Sequence, residues 1–196
     1  MTDVLLIQET KTQDPNFPET LYTDIGWNVV FHGQKSYNGV AIASRHPISD
    51  VMTGLPGDDE DEQARYMEAS IGGVRVATIY LPNGNPAPGP KFDYKLAWMN
   101  RLTARATTLL KDEVPVVLAG DFNVIPQDID CYDPPGWEGD ALTRPQGRAA
   151  FQRLKNLGMT EAFEATDNRS HQYTFWDYQG GAFPKDHGIR IDHHLL

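Results

Sequence analysis

Three carboxylates stand at the ends of short apolar runs: Glu9 after residues 4–7, Asp121 after residues 116–119, and Asp192 inside the string Arg190-Ile191-Asp192-His193. A strand end is a rigid platform, and in a layered fold several strand ends can converge on one point. Carboxylates gathered there repel one another unless a cation neutralises them, and their hard oxygen atoms suit magnesium or manganese. Asp121 and Asn123 lie two residues apart, so in an extended segment both side chains point the same way. One is charged and the other a neutral amide, a pair suited to orienting water beside a phosphate. Gly120, just before them, permits close approach of the backbone. Taken singly, each acid also fits a cap or a surface charge. The expectation to test is that Glu9, Asp121, Asn123 and Asp192 face one hollow.

The elements that must position these groups are short. Residues 4–7, 27–31 and 40–43 read as strands, the first as a buried one and the last entered from the turn-like Ser36-Tyr37-Asn38-Gly39. Residues 66–71 and 74–80 flank Gly72-Gly73, the clearest hairpin signal in the chain. Residues 81–90, rich in Pro, Gly and Asn, read as a loop. Phe92, Leu96, Met99, Leu102, Ala106 and Leu109 recur on one face and predict a helix over 92–110. Pro115 then opens a strand over 116–119, and residues 125–146 form a long irregular excursion. A second helix covers 148–157 with Gly158 as its left-handed stop, an aromatic strand or loop covers 173–178, and a final strand covers 190–196. Hairpins mixed with strand–helix alternation favour an α/β (α+β) fold of two packed mixed sheets with helices outside, rather than a doubly wound parallel sheet.

With 196 residues, 40% apolar and 22% charged, the chain fits a single domain over 1–196 with a real core and is not a disordered segment. No apolar stretch approaches bilayer length, and residues 1–10 carry no basic leader or cleavage site. The single cysteine, Cys131, excludes an internal disulfide and a cysteine zinc cluster. The expectation is a soluble, reduced, cytoplasmic protein, monomeric and with no membrane partner. A net charge of −10 argues against coating nucleic acid by bulk attraction, though not against an enzyme that holds it by a local basic rim. The acidic run Asp58-Asp59-Glu60-Asp61-Glu62 reads as a solvated loop. His187, His193 and His194 lack a ligand pattern and read as structural or surface groups.

Six strings give the sequence a specific likeness: Leu6-Ile7-Gln8-Glu9-Thr10-Lys11, Tyr37-Asn38-Gly39-Val40-Ala41, Tyr80-Leu81-Pro82-Asn83-Gly84, Gly120-Asp121-Phe122-Asn123, Tyr173-Thr174-Phe175-Trp176-Asp177-Tyr178 and Arg190-Ile191-Asp192-His193. In this order they resemble the exonuclease III and abasic-site endonuclease family of the endonuclease/exonuclease/phosphatase superfamily. The resemblance implies a deoxyribonuclease I-like four-layer sandwich of two mixed sheets flanked by helices. It implies magnesium- or manganese-dependent hydrolysis of double-stranded DNA at abasic sites and 3′ ends. Residue by residue, it makes Glu9 the metal ligand and Tyr80 the phenol beside the scissile phosphate. It makes Asp121 the group that aligns the attacking water or protonates the leaving oxygen, and Asn123 the amide holding the phosphate. Asp192 resembles a second active-site acid and Trp176 the aromatic against a base-less deoxyribose, with Asn83 also at the substrate. Packing in the core is the alternative for Tyr80 and Trp176. Lys35, Arg144, Arg148, Lys185 and Arg190 are candidate phosphate contacts on the rim, solvent exposure being the alternative for Arg148.

The family's leading Trp-Asn-Val-Asn strand and its closing Ser-Asp-His string have no counterpart here, so the fold is expected to be incomplete in its N- and C-terminal strands and its activity low. Two other functions compete: a superfamily phosphatase acting on small phosphorylated molecules or lipids, and an inactive DNA-binding fragment or scaffold. The Trp176 string and Asn83-Gly84 speak against the first.

Overall fold

A computed structural model of the chain describes residues 2–167 and 169–196. It is mixed α/β, with two main sheets and several helices, and divides into two compact units. The first comprises residues 1–80, 105–120 and 196, the second residues 81–104 and 121–195. Among the described residues no helix is long and apolar enough to cross a membrane.

In the first unit, β1 (Val4–Gln8), β2 (Asn28–His32) and β3 (Val40–Ser44) form an antiparallel sheet in the order β1-β3-β2. Val4 faces Ser44 and Gln8 faces Val40 in one ladder, Asn28 faces Ser44 in the other. The unbroken apolar run of β3 is buried throughout, as a central strand requires. β1, which the sequence suggested was buried, is only half-buried, with Leu5 40% exposed, because it lies at the edge of its sheet. The short helix α1 (Thr20–Thr23) joins β1 to β2 and is too brief to leave a periodic trace.

The second sheet of this unit runs β7-β6-β5-β4, built from β4 (Ile48–Thr53), β5 (Tyr66–Ile71), β6 (Val74–Tyr80) and β7 (Val116–Asp121). The β5–β6 hairpin turns on Gly72 at φ +58° and Gly73 at φ +84°, the two positive angles that a tight primed turn demands. β4 was not legible because it is a largely exposed edge whose register shifts between Ser49 and Met52. Val40, Ile42, Met67, Ala69, Ile71 and Val76 form the core, with Val4, Leu6, Val30 and Val117 packed on it. Each such Val, Leu, Ile or Met side chain contributes about 1.5–3 kcal/mol on full burial. The fully buried carboxylate of Glu68 is met by Arg75, Arg105 and the Tyr66 hydroxyl, which hold it charged; burial first, and then the Glu68 charge, push the Tyr66 phenol well above its usual range against the pull of Arg105.

Helix α2 (Pro90–Lys111) starts on a proline, as first-turn positions allow, and buries Phe92, Met99, Leu102, Ala106 and Leu109. The second unit takes this helix as far as Ala104 and adds α3 (Pro145–Lys155), α4 (Ala162–Thr166), β8 (Phe175–Trp176), β9 (Gly188–Ile189) and β10 (Asp192–Leu195). Residues 125–144 are irregular as expected, broken by 3-10 turns at Asp128–Asp130 and Pro134–Trp137, but Pro145 and Gln146, expected in the same excursion, belong to α3. α3 begins earlier than the apolar pattern implied, since Pro145 serves as its first residue, and Gly158 follows it at φ +106°. α4 is short and capped by Glu161, whose carboxylate accepts from the Glu164 N–H at 2.7 Å. Phe92, Ile125, Cys131, Ala141, Leu142, Ile189 and Ile191 make the core of this unit.

Candidate active site

Within the first unit, Glu9 and Tyr80 line one open hollow of about 470 Å³ together with Lys11, Asn38, Gln63 and Arg65. Glu9 follows the end of β1 at φ +56°, a left-handed conformation uncommon outside glycine and asparagine. It is held there by its neighbours: Thr10 N donates to Gly39 O at 3.2 Å and Lys11 N to Asn38 O at 2.9 Å. Gly39 is needed in this contact, because a Cβ would lie 2.0 Å from Thr10 Oγ1. The string around Glu9 and the Asn38-Gly39 turn are thus fastened to each other through the main chain. The Glu9 carboxylate is 41% exposed and lies 2.7 Å from the Lys11 ammonium.

Tyr80 closes β6, and the guanidinium of Arg65 sits 4.8 Å from the centre of its ring. Arg65 also donates to Gln63 Oε1 at 2.7 Å and to Tyr80 O at 3.3 Å. Arg65 was not singled out from the sequence, and its position three residues past the acidic run left no signal. Lys35 is exposed between the pocket-lining Gln34 and Ser36. Gly120, near the end of β7, has no room for a side chain: a Cβ would meet Ile79 O at 2.2 Å and Gln8 Nε2 at 2.9 Å.

Within the second unit, Asp121, Asn123 and Asn83 are brought together. Asp121 Oδ1 accepts from the Asn123 N–H at 2.7 Å and Oδ2 from Asn123 Nδ2 at 3.0 Å. The same Nδ2 donates to Leu81 O at 2.9 Å, and Asn83 Nδ2 donates to Asn123 Oδ1 at 3.1 Å. The pair does meet, although not by strand alternation. β7 ends at Asp121, and Asn123 turns left-handed at φ +47°. Asn123 is 5% exposed, so its amide is fixed on several sides. Beneath it lies Lys95, fully buried, donating to the carbonyls of Asn83, Asn123 and Ala141. Burial pushes its amine down to about 7, against the pull of Asp140 and Asp121. Its signal in the sequence was a lysine three residues after Phe92 and four before Met99, on the apolar face of α2.

Asp192 opens β10 with its backbone N–H donating to Thr174 Oγ1 at 3.1 Å. Burial raises its carboxyl above the usual range, opposed by the Thr174 hydroxyl and by His193 and His194. Trp176 pairs with Gly188 across β8 and β9, donates from Nε1 to Asp186 Oδ1 at 3.1 Å, and meets Phe183 edge-on at 5.3 Å. It lines a cavity of about 390 Å³ with Thr174, Phe175, Tyr178, Phe183 and Pro184. It is therefore partly open rather than a core residue.

The basic candidates separate. Arg190, expected on the rim, is 2% exposed and locked to Asp130 at 2.8 Å and to Glu161 and Glu164 at 3.4 Å. A cation this deeply paired cannot be a surface phosphate contact, and that expectation is corrected. Arg148 donates to Ile125 O and Asp128 Oδ1, both at 2.9 Å. Arg144 donates to Gly139 O at 3.1 Å and Ala87 O at 2.9 Å, and Lys185 to Gly180 O at 2.8 Å. His193 is buried against Val124 O and Glu161, and His187 stacks on Tyr132 at 4.5 Å, so both are structural.

Among the described residues no three His, Cys, Asp or Glu side chains form a cage for a metal ion. The donors present still fit magnesium in its usual mode, in which one or two carboxylates bind it and phosphate and water oxygens complete the shell. Glu9, half-exposed in its hollow, is a hard oxygen donor of that kind.

Two features define the class: sheets whose strand ends carry acids and amides, and a Gly-Asp-Phe-Asn turn tied to an Asn-Gly loop. They are those of a phosphodiester hydrolase. The chain belongs to the Endonuclease/Exonuclease/phosphatase family, whose model matches residues 1–196. It is 30% identical over 206 residues to the exodeoxyribonuclease III of Haemophilus influenzae, covering 99% of this chain and 77% of that protein. Among solved structures it matches a 3′-5′ exonuclease from Neisseria meningitidis with a TM-score of 0.96 and 40% identity, over 98% of this chain and 75% of the other. A Neisseria 3′ phosphatase bound to a product DNA hairpin gives the same values, 0.96 and 40%, over 98% and 75%. An AP endonuclease from Archaeoglobus fulgidus matches with a TM-score of 0.94 and 35% identity, over 98% and 75%. These structures carry the deoxyribonuclease I-like fold, the class expected from the sequence.

Proposed function

We propose that this chain is a DNA-repair nuclease of the exonuclease III type, acting as one domain and hydrolysing phosphodiesters of duplex DNA at abasic sites and 3′ ends with magnesium or manganese. The observation that carries the reading is the Asp121–Asn123–Asn83 cluster: an acid and two amides, interlocked on a left-handed turn, with hydrogen-bond geometry set before substrate arrives. Preset donors are the largest source of transition-state stabilisation in such chemistry.

Asp121 aligns the attacking water or returns a proton to the leaving oxygen; Asn83 holds the phosphate, joined by Asn123 once substrate displaces one of its two amide hydrogen bonds. Tyr80 donates its phenol beside the scissile group, supported by Arg65 against its ring. Asp192, kept protonated to higher pH than an ordinary aspartate, is the second acid. Trp176 packs on a sugar without its base, and Lys35 and Arg148 meet flanking phosphates. Glu9 holds the divalent ion, which when bound withdraws charge from the phosphate and its leaving oxygen.

A second reading confines the enzyme to 3′ ends. It is favoured by the Neisseria relatives, one titled a 3′-5′ exonuclease and the other a 3′ phosphatase. Three duplexes offered side by side separate the readings: one with an internal abasic site, one with a 3′ phosphate, one with a plain recessed 3′ end. Incision of the first supports the broader activity. Release of phosphate or nucleotides from the others alone supports the narrower one. An inositol phosphate as the sole substrate would move the chain to the small-molecule phosphatases.

A further inference from the structure

Lys95 is an amine in a place where an apolar group would fit. Its side chain is fully buried in the second unit, and burying an ammonium costs several kcal/mol unless each N–H is paired. Here each one is. Nζ donates to Asn123 O at 2.6 Å, Asn83 O at 3.0 Å and Ala141 O at 3.1 Å. An ammonium has three N–H groups and no acceptor, so three converging carbonyls use its full capacity.

The three acceptors belong to three loops, and those loops carry polar side chains that touch one another. Asn83 reaches Asn123, as described. Ala141 follows Asp140, whose carboxylate takes Asn85 Nδ2 at 3.0 and 3.1 Å. The stem of Lys95 is fixed as well: Gly84, at φ +93°, lies so close that a Cβ there would stand 2.8 Å from Lys95 Cδ. Asn123 turns left-handed at φ +47°, a conformation asparagine tolerates. The Lys95 bond to Asn123 O, the shortest of its three, grips the main chain of that residue.

We propose that Lys95 is a positioning residue for phosphodiester hydrolysis: it clamps the main chain at Asn83 and Asn123 so that the Asn123 amide and the Asp121 carboxylate keep their reacting geometry. The proposal rests on the reading of Asp121 and Asn123 as catalytic. A merely structural lysine would lower stability and leave the chemical step alone.

The test is a double-mutant cycle in single-turnover incision of an abasic duplex, paired with hydrogen exchange. Lys95→Met should lower the rate of the chemical step by about tenfold or more, as sub-ångström misplacement does, with KM within about twofold. In an Asn123→Ala background the same change should cost less than about threefold, because it acts through that residue. Amide exchange over residues 81–85 and 121–125 should quicken in Lys95→Met while α3 keeps its protection. Additive rate losses, or unchanged exchange in those segments, overturn the proposal. Should the Met variant not fold, Lys95→Arg carries the same cycle and exchange measurement: it keeps the charge, but its planar donors cannot serve three converging carbonyls. If the wild-type chain incises no DNA, the functional reading fails, while the exchange result still decides whether Lys95 clamps these loops.

Discussion

The carboxylate of Asp121 accepts from both nitrogens of Asn123, the backbone N–H at 2.7 Å and the amide Nδ2 at 3.0 Å. The two residues form a closed unit, and the Asn123 amide is oriented by a charge and by Leu81 O rather than by solvent. In Asp121→Asn an amide NH₂ faces the Asn123 NH₂, and the proton acceptor is lost. The incision rate should fall by about 10²–10⁴-fold, the usual worth of a positioned acid–base group. The melting temperature should shift by only a few degrees. Single-turnover kinetics beside a thermal melt measure both.

Glu9 is the donor available to a divalent ion in the first unit's hollow. Glu9→Gln should raise the magnesium concentration for half-maximal activity by about 10–100-fold, with little change in stability. A metal titration of the incision rate, begun from chelator-treated protein, reads this directly. An unchanged midpoint would remove Glu9 from the metal site.

Lys35 and Arg148 differ in what already neutralises them. Lys35 is exposed, whereas Arg148 shares the Asp128 carboxylate. Lys35→Ala should lower the slope of log K against log salt by about 1 for duplex binding. Arg148→Ala should lower it less and cost about 1 kcal/mol of stability through its lost bond to Ile125 O. Binding isotherms at several salt concentrations, with denaturant melts, distinguish the two.

Glu161 is 3% exposed, and burial alone would raise its carboxyl. The neighbouring His193, 3.7 Å away, the Glu164 N–H and the nearby Arg190 outweigh burial and bring it down from 4.5 to about 2. Because its folded value lies below its unfolded one, the stabilisation is complete above about pH 4.5 and is lost as pH falls towards 2. The stability gap between wild type and Glu161→Gln should therefore shrink by about 3 kcal/mol across that window. Chemical denaturation at pH 6, 4.5, 3.5 and 2.5 would reveal a constant gap if Glu161 were not the group responsible.

Periodicity made the long elements legible. The apolar face of α2, the Gly72-Gly73 hairpin and the strand ending at Asp121 all follow from spacing and turn chemistry. Missed elements lack such traces: β4 is an exposed, irregular edge, and α1 and α4 span fewer than two turns. Family strings pointed to Glu9, Tyr80, Asp121 and Asn123 as candidates, but could not show what holds them. The grip of Lys95 on three carbonyls and the ring contact of Arg65 on Tyr80 depend on tertiary approach. Arg190 was misjudged because an arginine in a candidate-site string looks alike whether it faces solvent or Asp130. Only packing told the two apart.

The central claim is metal-dependent phosphodiester cleavage, and its most direct test is an abasic duplex incubated with excess protein, so that even slow turnover is read. The outcome expected is incision in magnesium that stops on adding a chelator and is lost in Asp121→Asn. Incision that survives both, or none at all beside intact hydrolysis of a small phosphate ester, would contradict it.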